Sequence, residues 1–93
     1  MSVLTRELAT DAVRVGHKID NGATVVDYAW DERSFDGSVH PGGHMLAILP
    51  WSPDKYVTWG FAVQEDGRVM CFSGHYFDRL QPALDDFNRR CKR

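Results

Sequence analysis

Two short stretches carry the residues best suited to chemistry. They are His40-Pro41-Gly42-Gly43-His44 and Cys71-Phe72-Ser73-Gly74-His75. Each sets two ligand-type side chains four positions apart, with a glycine before the final histidine. Zinc takes about four ligands from Cys, His or carboxylate in a tetrahedron. His40, His44, Cys71 and His75 would supply them if two loops met at one end of a sheet. The spacing is also an obstacle. In an extended strand Cys71 and His75 point to one face but stand ~13 Å apart. A shared ion therefore requires the chain to break at Ser73-Gly74, and no C-x2-C knuckle is present. Without a metal, Cys71 reads as a small buried hydrophobe and the histidines as loop or surface groups.

The sequence supports other chemistry less well. Cys71 as a nucleophile needs His44 or His75 as base and a lowered thiol pKa, yet it sits between Met70 and Phe72 in a strand-like run. A small hydrolase built on His44, His75 and nearby acids is a third option. Asp27, Asp31, Glu32 and Asp36 are close in sequence, but no D-x-D-x-D-G loop accompanies them. Asp85-Asp86 reads as a solvated pair on a helix surface. No P-loop, G-x-G-x-x-G or G-x-S-x-G is present.

A binding role draws on a different segment. Tyr28, Trp30 and Phe35 are interleaved with Asp27, Asp31, Glu32 and Asp36. Aromatics supply binding anchors, and acids steer a basic partner surface. Trp51 sits in a turn between Pro50 and Pro53, which predicts exposure. The alternative is that Trp30 and Trp51 close the two ends of the core.

These residues need elements to position them. Residues 2–11 read as a short helical turn, with Ser2 or Thr5 as cap and Val3, Leu4 and Leu8 on the buried side. Asp20-Asn21-Gly22 is the strongest turn signal, flanked by Val13, Val15 and Ile19 before and ATVVDYAW after. Residues 31–43 read as a loop, and HMLAILPW as a buried strand stopped by Pro50. YVTWGFAV alternates, with Val57, Trp59, Phe61 and Val63 on one face. Glu65-Asp66-Gly67 turns into RVMCFSGHYF. Leu80, Leu84, Phe87 and Cys91 then form one helical stripe, started by Asp78 and Gln81 as a capping box. The order predicts an α+β fold: a mainly antiparallel sheet of four to five strands, one C-terminal helix on one face and a short N-terminal helical turn. Trp59, Phe61 and the Leu80–Leu84–Phe87 stripe are expected to share one core.

The bulk composition sets the frame. Residues 1–93 make one small globular domain, 43% hydrophobic and 26% charged, which argues against disorder. A formal net charge of −2 argues against direct nucleic-acid binding, although Arg89-Arg90-Cys91-Lys92-Arg93 is basic. No apolar run approaches the roughly 20 residues of a membrane span, and MSVLTRELATD lacks a signal-peptide core. A cytoplasmic location with Cys71 and Cys91 reduced is expected. In size, acidity and lack of a catalytic signature the chain resembles inhibitor and accessory proteins of phages and mobile elements, anti-CRISPR proteins among them. That resemblance implies a non-enzymatic binding protein without cofactor. Its partner would be a larger protein, such as a nucleic-acid-binding protein with a basic surface. Exposed strand edges leave monomer and homodimer both open.

Overall fold

The computed structural model describes residues 5–36 and 40–91. Along the chain these form α1 (Arg6–Val13), β1 (Thr24–Trp30), a 3-10 turn (Glu32–Phe35), β2 (Gly42–Ile48), β3 (Tyr56–Val63), β4 (Val69–Phe77) and α2 (Leu80–Arg90). The fold is α+β. The strands form one antiparallel sheet in the order β1-β2-β3-β4, each beside its sequence neighbour. No helix among the described residues is long and apolar enough to cross a membrane.

Turn chemistry explains the meander. Gly22 and Gly67 both take positive φ, 91° and 88°, the region glycine enters without steric cost. Asp20-Asn21-Gly22 therefore turns, but with positive φ at Gly22 and not at Asn21, where a two-residue hairpin turn would need it at both. Its leading strand shrinks to a single bridge, Lys18 to Thr24, because Val13 is already spent in α1. The sheet has four strands for that reason.

Thr5 caps α1 by accepting from the Leu8 amide, but Ala9 and Val13 are the buried residues and Leu8 is exposed. Ser2, Val3 and Leu4 lie outside the described residues. At α2 the N-cap is Arg79, with no side-chain cap; Gln81 donates instead to Asp85 at 2.9 Å. The Asp78 capping box does not form.

The sheet separates two cores. Val25, Met45, Val57, Trp59, Phe61 and Val63 pack with Ala9, Val13 and Ile19 on the α1 side. Leu46 packs with Ala83 and Phe87 on the α2 side, where Leu84 and Cys91 join. The helical stripe thus does not meet Trp59 and Phe61; strand alternation sends them to the opposite face. Leu80 remains exposed.

Candidate functional site

Strand alternation decides the metal question first. Cys71 packs into the α1-side core, with its thiol 3.9 Å from the Asn21 amide. His75 is on the other face, hydrogen bonded to Asp86 of α2. The β3–β4 register shifts between Thr58 and Gly60, and Ser73 takes a φ of 54° at that irregularity. The chain does break near Ser73-Gly74, as a shared ion would require. The bulge carries Cys71 and His75 to opposite faces instead of bringing them together. His44 lies across from Gly60 on β2. Among the described residues no three His, Cys, Asp or Glu side chains are grouped to hold a metal ion. His40, His44, Cys71 and His75 do not form the tetrahedral set their spacing suggested.

The glycines of HPGGH have a packing reason. A Cβ on Gly43 would collide with the Ala29 carbonyl oxygen of β1, and one on Gly42 with the Phe61 carbonyl oxygen of β3. Burial pushes the Cys71 thiol up to about 12, assisted by Asp20, so the thiolate needed for attack is disfavoured. Neither Cys71 nor Cys91 is in a disulfide, and the two belong to opposite faces of the sheet.

Asp86 is the residue that sequence reasoning missed. It is 7% exposed and sits between α2 and the sheet. The Thr58 hydroxyl donates to its Oδ2 at 2.5 Å, His75 Nδ1 lies 2.9 Å from the same oxygen, and Arg89 donates to Oδ1 at 3.2 Å. Arg90 donates to the Thr58 carbonyl at 2.9 Å. Burial alone would raise the Asp86 pKa. The hydrogen bonds from Thr58, His75 and Arg89 outweigh it and hold the carboxyl below its ordinary range. An Asp–His pair can serve acid–base chemistry; here Asp86 is buried at the seat of α2, while the His75 side chain is 53% exposed. The signal in the sequence was Thr58, a hydroxyl on a strand face that must find a partner once covered.

In the Tyr28–Phe35 segment the aromatics are half-buried, with Tyr28 and Trp30 against the α1-side core, while Asp31, Glu32 and Arg33 are exposed. Trp30 stacks edge-on against Tyr28 at 5.8 Å and Phe35 at 5.1 Å, and tilts onto buried Phe61 at 5.3 Å. Arg6 of α1 covers the Phe35 ring at 4.4 Å and is paired with Glu32. Asp31 caps the 3-10 turn by accepting from the Arg33 amide at 3.1 Å. Asp27 accepts from the Tyr28 amide at 2.8 Å, and Asp36 is exposed. A hollow of about 330 Å³ opens beside Trp30, Asp31, His44 and Arg90. There burial, and then the charge of Arg90, lower the His44 pKa. This end of the molecule is anchored by its aromatics, and its acids are partly matched by arginines.

Trp51 is elsewhere. Trp30 is paired with Gly43, whereas Trp51 follows the far end of β2 and lies over Gly22. The two tryptophans are separated by the seven residues of β1, roughly 20 Å. The eight candidate binding residues therefore do not form one patch.

At the Trp51 end a hollow of about 460 Å³ is walled by Trp51, Trp59, Tyr76, Leu49 and Pro53. Trp51 is 61% exposed and Tyr76 53%. Trp59 is only 7% exposed. Its indole N–H has no acceptor among the described residues. No fully buried side-chain nitrogen or oxygen there lacks a partner, so that N–H must reach the open space of the hollow. Gly74 adjoins two of the lining residues: a Cβ there would stand 2.8 Å from Trp59 Nε1 and 2.9 Å from the Tyr76 hydroxyl. The glycine of CFSGH thus keeps an indole donor accessible. Trp59 is core, as its strand position predicted, and what the sequence did not reveal is that its edge and Tyr76 share one hollow with Trp51.

Comparison with protein-family models, curated proteins and solved structures finds no match. Function must be argued from the chemistry of these surfaces.

Proposed function

We propose that this protein is a small non-enzymatic binding module that docks a larger protein partner, with the Trp51–Trp59–Tyr76 hollow as its principal contact. One observation carries the reading. Trp51 is largely exposed beside an exposed Tyr76 and an unsatisfied indole donor, in a molecule whose other aromatic cluster is half-buried. Tryptophan and tyrosine dominate binding energy when a partner covers them, because they bury much apolar area and carry a polar handle. The acidic segment has a secondary part. Asp31 and Asp36 remain at the surface and would contribute long-range attraction to a basic partner, weakened by the nearby Arg6 and Arg33.

The test is affinity capture at low salt with wild-type, Trp51→Ala and Asp31→Lys proteins of matched melting temperature. A partner lost by Trp51→Ala, and retained with a weaker salt dependence by Asp31→Lys, is the expected result. Full retention by Trp51→Ala would remove the hollow from the interface.

A further inference from the structure

We infer that the Trp51–Trp59–Tyr76 hollow takes a neutral, proline-containing segment of the partner in the extended polyproline II conformation. This rests on the binding-module reading and specifies the chemistry of its ligand.

Charge is the first argument. Asn21, Leu49, Trp51, Ser52, Pro53, Trp59 and Tyr76 line the hollow, and none of these is charged. A phosphate backbone or a charged peptide would lose hydration there without gaining a counter-charge. The occupant is neutral.

Hydrogen-bonding polarity is the second. The indoles of Trp51 and Trp59 can only donate. The side-chain oxygen of Asn21 is already accepting from the Ala23 amide at 3.0 Å. The hydroxyls of Ser52 and Tyr76 can act either way. Side-chain donors therefore exceed free side-chain acceptors, and the complementary ligand presents mainly acceptors. A polyproline II segment does so: its carbonyls make no internal hydrogen bonds, and each proline lacks an N–H. A sugar presents hydroxyl donors as well and would leave them short of partners.

Shape is the third. The hollow is open to solvent, and exposed Trp51 and Tyr76 both line it, together with Pro53 and the edge of Trp59. Aromatic-lined grooves suit pyrrolidine rings, and a preformed polyproline II segment loses little entropy on docking. One turn is three residues and about 9 Å long, a scale that a hollow of about 460 Å³ accommodates.

The chain has three tryptophans, so three indole N–H signals report the outcome directly by NMR. Isotope-labelled protein is titrated with a neutral oligoproline, a Gly-Ser peptide of equal length and a neutral oligosaccharide. Oligoproline is expected to move the Trp51 and Trp59 signals and leave Trp30 in place. Trp59→Phe, which keeps a ring but removes the donor, is expected to weaken binding about tenfold. Trp51→Ala and Tyr76→Ala, both at exposed positions, test the walls independently of the core and are each expected to weaken binding at least as much. Equal or larger shifts with the Gly-Ser peptide or the sugar would overturn the proline assignment while leaving the hollow as the contact site. No movement of Trp51 and Trp59 with oligoproline would also overturn it, and partner capture by Trp51→Ala would still judge the docking surface separately.

Discussion

Asp86 shows how one residue can be misread from its neighbours. Asp85-Asp86 looks like a solvated pair, and only the three-dimensional fold separates them: Asp85 meets Gln81 at the surface, while Asp86 is turned under the helix onto Thr58 and His75. Helical periodicity could locate the apolar stripe, but it could not show that Ala83 and Asp86 also face the sheet. Asp86→Ala is expected to cost about 2–3 kcal/mol in urea unfolding, since it removes the charged acceptor of several hydrogen bonds. Thr58→Val keeps the shape and leaves Asp86 with His75 and Arg89, so its cost should be smaller, about 1 kcal/mol. An equal cost for both would mean that the carboxylate is stabilised through the threonine alone.

At the scale of elements, the features legible in the sequence were those governed by local rules. The Asn21-Gly22 and Asp66-Gly67 turns, the alternating faces of β3 and the C-terminal helix follow from backbone preference and period. The candidate site was only partly legible. Trp51 was found through its proline-bracketed turn, but Trp59 and Tyr76 join it only through a register that no local pattern reveals. HPGGH was suggestive for the wrong reason, because its glycines serve strand contact. Gly43→Ala would drive a methyl group into the β1 backbone at Ala29 and is expected to destabilise by about 1–3 kcal/mol. The change is destabilising because the Ala29 backbone cannot swing aside as a flexible side chain can. A urea midpoint unchanged from wild type would show that β1 can move away from β2 at little cost.

The whole molecule is a sheet covered on both sides, and each side holds a group whose ionisation is linked to folding. Asp86, on the α2 side, has a lowered pKa. The folded state therefore binds its proton less readily, and the associated stability is lost as pH falls below the ordinary 3.8. His44, also on that side, is lowered from 6.5 by burial and Arg90. The unfolded chain takes up that proton first, so acidification below about pH 6.5 already begins to erode stability. Asp66 is lowered too, with the same sign, but it lies in an exposed turn where solvent screens the effect. Cys71, on the α1 side, works at the other limit. Its thiol is raised from 9.0 to about 12, so stability falls as pH rises from about 9, where the unfolded chain ionises first. Melting temperature against pH should therefore form a plateau between about pH 6.5 and 9. Cys71→Ala should flatten the alkaline limb and leave the acid limb unchanged. Asp86→Asn should lower the plateau and flatten the steepest part of the acid limb, near pH 4 and below. If both variants kept the wild-type slopes, ionisation would be uncoupled from the two sides of the sheet, and the acid and alkaline limbs would have to arise from net charge alone.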